Sequence, residues 1–209
     1  SINLSNFQFS PDENKVAMTN TTDDGVEIWI LDIASLIAKK IFKSKANATM
    51  GNVINWISDS ELIIKSVPDD MSPLINSATS IPTGPTVTEN KGSKAQNRTY
   101  QDLLKSPNDV YNFKQLSQSE LLKINIEGEY IKWLPTKMYK NIQLSPDKKY
   151  LLVDFIKPPF SYIVPYNRFP TETHVYDKNA KLIKVINDAP LLEELPKGFM
   201  STTSGKRNF

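Results

Sequence analysis

The sequence predicts an all-β protein, a partial β-propeller of about three four-stranded antiparallel blades with two long loop insertions and a short helix. The first observation is a hairpin motif that occurs as Phe9-Ser10-Pro11-Asp12 and again as Leu144-Ser145-Pro146-Asp147. The second is the spacing of the two copies, which is about three times the roughly 40 to 45 residues of one blade. The third is that strand-like segments follow each copy. A repeat of this size indicates stacked supersecondary units.

Each copy of the motif has the chemistry of a β-hairpin. Apolar and polar residues alternate before Ser-Pro-Asp, as they do in a half-buried strand. Proline suits the second position of a turn, and the aspartate can accept a hydrogen bond from the backbone two residues on. A weaker third copy at residues 54–64 keeps an aromatic residue and a polar turn but has no proline. These hairpins predict the two inner strands of three blades.

The segments after the hairpins complete the blades. Third strands are predicted at 26–32, 120–128 and 172–177, and outer strands at 38–42, 130–134 and 182–186. Blade one then occupies about residues 5–44, blade two about 47–134 and blade three about 139–187. Residues 188–209 are expected to connect to a further blade. Because the chain also begins abruptly at Ser1, we expect a fragment of one propeller domain, from which a signal peptide could have been removed.

The first insertion is predicted after the second strand of blade two. Residues 67–110 lack strand periodicity and are rich in Pro, Ser, Thr, Asn and Gly, which is typical of a loop. Within them a short helix is predicted over 99–105. Thr99 can cap its start, Asp102 follows three residues later, and Pro107 lies just beyond its end.

The second insertion, predicted at residues 155–170, combines prolines with aromatic side chains. The prolines exclude a regular central strand, and the aromatic rings require burial. Neighbouring blades, a second domain or a peptide ligand could each supply that cover. Because both insertions leave their blades from the same position, we expect them to emerge on the same rim.

Composition excludes several classes of function. The 209 residues carry a net charge of only +2, and the basic pairs are scattered, so nucleic acid is not an expected partner. The absence of cysteine excludes disulfides, thiol catalysis and thiolate metal sites. The sequence contains no run of about eighteen apolar residues, so no membrane span is predicted. No metal or other cofactor is expected.

Residues for hydrolysis are missing from the sequence. No Gly-x-Ser-x-Gly elbow is present, and His174 is the only histidine. It lies within a predicted strand, which favours a structural role. Asp23 and Asp24 precede Gly25 in a predicted hairpin turn, so we interpret these carboxylates as turn residues rather than as a metal site or an acid/base pair. No catalytic residue is predicted, and the fragment itself is not expected to be an enzyme.

The insertions carry a resemblance to a known family. Residues 84–105 and 158–170, with 191–196 and Gly198-Phe199, resemble the propeller of the glutamyl endopeptidase-like or dipeptidyl aminopeptidase-like branch of the prolyl oligopeptidase serine peptidases. The resemblance covers nearly the whole chain. It implies an N-terminal propeller that caps a C-terminal α/β-hydrolase domain with a Ser-Asp-His triad. This sequence lacks that domain and several blades, so only the parent protein is expected to be a serine-type peptidase.

Candidate substrate-binding residues lie in the two insertions. Arg98 and Arg168 could hold a peptide carboxylate or a glutamate side chain through paired hydrogen bonds, although each could instead brace its loop. Tyr162 and Tyr166 could line the same cavity or pack within the loop. The pair Glu193-Glu194 is similar to the glutamates with which dipeptidyl peptidases hold a substrate amino terminus, but its place in a proline-flanked connector disfavours that role.

The resemblance implies a function for the fragment in its parent. We expect a non-catalytic propeller portion of a secreted or periplasmic serine peptidase, which gates access and positions peptide substrate for the absent hydrolase domain. The expected partners are a peptide substrate, that domain, and further copies of the fragment that would bury its uncovered terminal blades. The alternative is a stand-alone propeller-like binding module for a protein or glycan, although three blades are fewer than the roughly four to eight of closed rings.

Overall fold

The computed structural model describes residues 2–76, 100–193 and 205–206. In this part of the chain, one α-helix accompanies eleven strands that form one antiparallel sheet system. The strands are β1 (Leu4–Phe9), β2 (Lys15–Thr22), β3 (Gly25–Asp32), β4 (Ile37–Ala46), β5 (Ile54–Trp56), β6 (Glu61–Ser66), β7 (Ser119–Asn125), β8 (Tyr130–Leu144), β9 (Tyr150–Ile156), β10 (Thr171–Asp177) and β11 (Leu182–Ala189). The helix is α1 (Pro107–Ser117), and a 3-10 turn spans Tyr166–Arg168.

Strand pairing divides the eleven strands into three consecutive four-stranded sheets. The first sheet contains β1 to β4, and it touches β6 through the single pair Ala46↔Ser66. The second sheet contains β5, β6, β7 and the first half of β8, and the third contains the second half of β8 with β9, β10 and β11. The all-β propeller prediction is confirmed. The outer strand predicted at 130–134 is the first part of a longer strand, β8. This strand continues to Leu144 and becomes the inner strand of the third sheet.

The two Ser-Pro-Asp turns are held by the same hydrogen bonds. The Ser10 hydroxyl donates to an Asp12 carboxylate oxygen at 2.5 Å, and the Ser145 hydroxyl donates to Asp147 at 2.6 Å. Each serine oxygen also accepts from the amide nitrogen five residues later, at 2.9 and 3.0 Å. Donation from Ser10 and Asn14 lowers the pKa of Asp12 to about 2. The repeated sequence is therefore a repeated structure, as predicted.

Two hydrophobic cores fill the spaces between the sheets. The first joins Ala17, Ile28 and Ile30 of the first sheet to Ile54 and Trp56 of the second. The second core joins the second sheet to the third. Its members include Ile63, Leu121, Tyr139, Ile142, Leu151, Val153 and Phe155. Both faces of the middle sheet are therefore covered.

The insertions lie after the second strand of their sheets, as predicted, but their bounds differ. The first runs from the end of β6 to the start of β7 and includes α1, so it is longer than the predicted 67–110. The second begins after Ile156, because β9 extends to that residue. Both insertions are therefore held at the same position of neighbouring sheets.

The predicted helix at 99–105 is wrong. Residue 99 lies outside the described residues, residues 100–105 form no helix, and the helix begins at Pro107. Ser106 is its N-cap, because its side chain accepts from the Asp109 amide at 3.2 Å. Proline suits the first helical position, because it lacks an amide hydrogen and has a fixed φ. It is also common just beyond the end of a helix, because it cannot continue one. The prediction assigned Pro107 to the wrong end.

Lys65 is a buried cation in β6. Its side chain lies on the same face as Ile63, and the residue is only 2% exposed. Among the described residues, no ion pair compensates for this burial, and desolvation lowers the pKa of the Lys65 ammonium to about 8. The folded state thus disfavours the charged form.

Replacing Lys65 with methionine should stabilise the fold, and the gain should fall as the pH rises. Below pH 8 the ammonium is protonated in both the folded and unfolded states, so burial costs the full difference between the pKa values. The cost decreases between pH 8 and the unfolded pKa of 10.5. We expect Lys65→Met to raise the free energy of unfolding by about 3 kcal/mol at pH 7 and about 1 kcal/mol at pH 10. Urea unfolding at both pH values measures this.

Lys184→Met is the matched control, because Lys184 is an exposed lysine in β11. This control should change the free energy of unfolding little at either pH. A gain for Lys65→Met that is equal at pH 7 and pH 10 would show that packing, rather than charge burial, explains it.

Candidate functional site

The candidate site is the rim where the two insertions meet. The Phe113 ring of α1 contacts the second insertion edge-on, with ring centroids 5.4 Å from Phe160 and 5.7 Å from Phe169. Tyr166 lies beside the same ring at 6.4 Å. Edge-to-face packing at these distances is favourable for aromatic rings. Neighbouring blades, a second domain and a peptide ligand were the three partners considered for the aromatic loop. The structure shows the first of these, because α1, which is inserted in the neighbouring second sheet, covers the loop.

Polar side chains fix both ends of α1. At the start, Lys105 donates its amide hydrogen to the Asp109 carboxylate at 2.8 Å, in addition to the Ser106 cap. At the end, the buried Asn47 side chain donates to the carbonyl oxygens of Leu116 and Gln118, at 3.0 and 2.8 Å. These carbonyls have no helical partner. The link to Asn47 therefore attaches the inserted helix to the connection between β4 and β5.

The second insertion is closed at its neck. The Lys157 amide donates to the Pro170 carbonyl at 2.9 Å, which joins the two ends of the loop. The Lys157 ammonium also contacts Glu172 and Asp188, each at 2.7 Å. The hydrogen bonds that the Lys157 ammonium donates to Asp188 and Glu172 raise the pKa of Lys157, and the ammonium in turn lowers the pKa of Glu172. This network ties the loop to β10 and β11.

A third apolar cluster lies beneath the contact between the insertions. Its buried members are Met50, Met138, Ile156, Val164 and Phe169. Tyr100, Leu104, Phe113, Phe160 and Leu191 pack against it from the rim. Both insertions are therefore anchored on strands of the sheets and on each other.

A small cavity opens between the insertions. Its volume is about 110 Å³, well below the roughly 300 to 1,000 Å³ of pockets for drug-sized ligands. The walls are mostly apolar and are formed by Leu103, Leu104, Phe113, Val164, Tyr166 and Phe169. Asp102 also lines it and adds a carboxylate. The cavity has the size and chemistry to hold one aliphatic side chain.

The structure brings one of the four predicted binding residues to this cavity. Tyr166 lines it and is 46% exposed. Tyr162 lies on the same loop and is 43% exposed, but it does not line the cavity. Arg168 ends the 3-10 turn and is half-buried, and its carbonyl accepts from the Leu192 amide at 3.1 Å. Arg98 lies outside the described residues.

Glu193 braces the aromatic loop. Its carboxylate accepts a hydrogen bond from the buried Ser161 hydroxyl at 2.6 Å, and that hydroxyl oxygen also accepts from the Ile163 amide. This contact gives Glu193 a structural partner. It agrees with the sequence analysis, which disfavoured a role for Glu193 in binding a substrate amino terminus. Glu194 lies outside the described residues.

His174 lies in β10 and is buried, in agreement with its predicted strand position. Its Nε2 atom is 2.9 Å from a Glu172 oxygen, and its Nδ1 atom is 3.0 Å from the Tyr176 hydroxyl. The Phe155 ring packs edge-on against the imidazole at 4.7 Å. Both ring nitrogens therefore have hydrogen-bond partners, and the ring itself packs against Phe155 of the second core.

Asp23 and Asp24 form the turn between β2 and β3, as interpreted from the sequence. Within residues 2–76, 100–193 and 205–206, no group of three or more His, Cys, Asp or Glu side chains could hold a metal ion. No helix among those residues has the length and apolar character needed to cross a membrane. The chemistry that the described rim can offer is the binding of an apolar side chain next to a tyrosine hydroxyl and a carboxylate.

Sequence reasoning missed Phe113 and the α1 contribution to the site. The signal was present, because Ser106, Pro107 and Asp109 are a capping residue, a first-turn proline and a first-turn acid. The contact between Phe113 and the aromatic loop joins segments about fifty residues apart, and no local pattern encodes such a contact.

Comparisons with known proteins support the fold and the family. The chain is 32% identical over 198 residues to a protein of Oryza sativa subsp. japonica described as "Probable glutamyl endopeptidase, chloroplastic". The protein of the same description from Arabidopsis thaliana is 30% identical over 190 residues. The matches cover 93% and 87% of this chain but only 21% and 19% of the relatives. The chain thus spans about a fifth of their length. No protein-family model matches it.

Solved structures show the same fold at low sequence identity. Acylaminoacyl peptidase of Pyrococcus horikoshii superposes with a TM-score of 0.50 and 16% identity, over 88% of this chain and 25% of that protein. A TolB protein of Agrobacterium tumefaciens gives a TM-score of 0.52 and 8% identity, over 87% of this chain and 48% of that protein.

Three stacked four-stranded sheets with paired rim insertions, taken with these solved structures, define a portion of a β-propeller. In sequence, this portion is similar to about a fifth of the length of the glutamyl endopeptidases of Oryza sativa and Arabidopsis thaliana. The predicted resemblance is confirmed.

Replacing Phe113 with alanine should separate the two insertions. Phe113 packs on Phe160, Tyr166 and Phe169, so the variant loses most of the contact between α1 and the aromatic loop. We expect a loss of about 2 to 3 kcal/mol in the free energy of unfolding, less than for a fully buried ring because Phe113 is half-buried. Hydrogen exchange at residues 157–170 should also become faster.

Leu116→Ala is the control for this experiment, because Leu116 lies on the same helix and is 42% exposed. It should leave exchange in the aromatic loop unchanged. Equal exchange rates at 157–170 in both variants would contradict the proposed coupling.

Proposed function

We propose that the chain is the non-catalytic propeller portion of a secreted or periplasmic serine peptidase, in which it gates access and positions peptide substrate. The hydrolase domain of that enzyme would lie outside this chain. The observation that carries the proposal is the convergence of two insertions from neighbouring sheets on one small apolar cavity. Sequence similarity to glutamyl endopeptidases supplies the enzymatic context.

The rim supports a positioning role through its rigidity. Helix α1 is fixed at both ends, and the aromatic loop is closed at its neck by Lys157. A cavity between two braced elements loses little conformational freedom when a side chain enters it. The same cavity is too small for a whole peptide. We therefore assign it to one side chain of an extended substrate, with Tyr166 at the mouth.

The sheets support a gating role through their stacking. In the proposed enzyme, a closed ring of such sheets would restrict the path to the domain that it covers, so folded proteins would be excluded and flexible chains would pass. Arg168 and Tyr166 lie on the same short turn, and both could contact a chain that passes this rim. A carboxylate on that chain is the partner we propose for Arg168, whose guanidinium forms no ion pair with the described residues.

The proposal predicts two results with peptides. The purified chain should show no peptidase turnover, because the sequence supplies no nucleophile elbow. In the longer peptidase that contains this propeller, Tyr166→Ala should raise KM for peptides about threefold to tenfold and change kcat little, because it removes binding and not chemistry. Steady-state kinetics with peptides of several lengths measures both.

Tyr130→Ala is the matched control, because Tyr130 is 51% exposed and begins β8 at the end of the sheet opposite the insertions. It should leave KM and kcat unchanged. Turnover by the isolated chain, or equal KM for Tyr166→Ala and the unmodified enzyme, would overturn the proposal.

A further inference from the structure

Two buried hydrogen-bond donors lie on one face of the middle sheet. Asn55 of β5 is paired with Ile63 of β6, and Lys65 follows two residues later in β6. Residues two apart in a strand point to the same face, so all three face the second core, which contains Ile63. Diagonal neighbours in an antiparallel pair are roughly 7 to 8 Å apart, within reach of long side chains. The Asn55 amide and the Lys65 ammonium can therefore contact the same small ligand.

Neither donor has an acceptor in the described part of the chain. Asn55 is 7% exposed, and its Nδ2 atom is buried without a hydrogen-bond partner. Lys65 is 2% exposed, and no hydrogen bond or ion pair reaches its ammonium from residues 2–76, 100–193 or 205–206. A buried amide without a partner costs free energy, and a buried charge without one costs more. The pair therefore requires an acceptor.

Carboxylates that share these faces pair with other cations. Glu61 lies on the same face of β6 as the buried lysine, but its carboxylate contacts the Lys123 ammonium at 2.8 Å. On the third sheet, Glu172 lies on the face that meets the second core, two residues before His174. Its carboxylate contacts Lys157 at 2.7 Å and His174 at 2.9 Å. Among the described residues, the buried cation is thus left without a counter-charge.

We propose that the Asn55 amide and the Lys65 ammonium bind a small inorganic anion of the size of chloride between the second and third sheets. An anion accepts hydrogen bonds from both donors and supplies the missing negative charge. A water molecule could also accept from both, but its own hydrogens would then need acceptors, and the charge would stay uncompensated. The burial of both residues excludes a peptide carboxylate.

The site lies in the interior of the chain, because both sheets that bound it have their strands within the described residues. It is also close to the anchor of the inserted helix. The Asn47 backbone amide donates to the Lys65 carbonyl at 2.8 Å, and the Asn47 side chain holds the end of α1. An ion at Lys65 would therefore stabilise the strand that supports α1. This role does not depend on the proposed peptidase function.

Thermal unfolding of the 209-residue chain in two sodium salts tests the site. Gluconate is too large for a buried site, so comparing it with chloride separates specific binding from ionic strength. At pH 7 the ammonium is protonated, because desolvation lowers the pKa of Lys65 only to about 8. For a Kd of about 10 mM, the Tm should rise by about 3 to 6 °C between 0 and 100 mM chloride, and by less in gluconate.

Three variants locate the effect. Lys65→Met removes the cation and should abolish the difference between the two salts. Lys184→Met is the matched control, because it removes an exposed lysine and should keep the full chloride shift. Asn55→Asp places a fixed carboxylate beside the ammonium. It should lose the chloride dependence without a lower Tm in gluconate.

Crystals soaked in sodium bromide locate the ion directly, because bromide replaces chloride and gives an anomalous signal. The bromide should lie in hydrogen-bonding contact with both Asn55 Nδ2 and Lys65 Nζ. Equal Tm shifts in the two salts, a chloride shift that survives Lys65→Met, a lower Tm for Asn55→Asp in gluconate, or bromide missing from this position would overturn the proposal.

Discussion

Burial between stacked sheets is the interaction on which this structure depends. The clearest case is β6, where Ile63 belongs to the second core and Ile64 belongs to the first. Both are fully buried, although neighbouring residues of a strand point to opposite faces. A strand that is apolar on both faces cannot be stable in a single sheet. The middle sheet therefore requires neighbours on both sides, which explains why the architecture is repetitive.

The stacking also decides where function can lie. Neighbouring sheets in the same orientation bring equivalent loops to the same rim, so insertions after β6 and after β9 meet without any special sequence signal. Their meeting creates a third apolar cluster that includes Met138 and Ile156 from the strands and Met50 from the connection between β4 and β5. The strands supply fixed attachment points, and the insertions supply the surface. A binding site built in this manner can vary in sequence while its position in the fold stays constant.

Local patterns predicted the strands and the hairpins, because these depend on alternation and on turn chemistry. Ser10 and Ser145 form the same bonds to Asp12 and Asp147, and the sequence shows that identity directly. The helix was misplaced because one proline is compatible with either end of a helix, and only the cap at Ser106 decides between them. The long β8 was not predicted, because its residues switch sheets without a break in the strand.

The candidate site was predictable in its location and not in its composition. Alternation and loop position place both insertions on one rim, but the choice between exposed and buried aromatic rings is made by tertiary packing. Phe160 and Phe169 are turned toward Phe113, whereas Tyr162 and Tyr166 keep nearly half of their surface exposed. A tyrosine tolerates this position because its hydroxyl is hydrated while its ring covers apolar neighbours. Within this loop the two phenylalanines pack inward, whereas the two tyrosines keep part of their surface exposed, so the tyrosines are the aromatic residues that a ligand at this rim can contact.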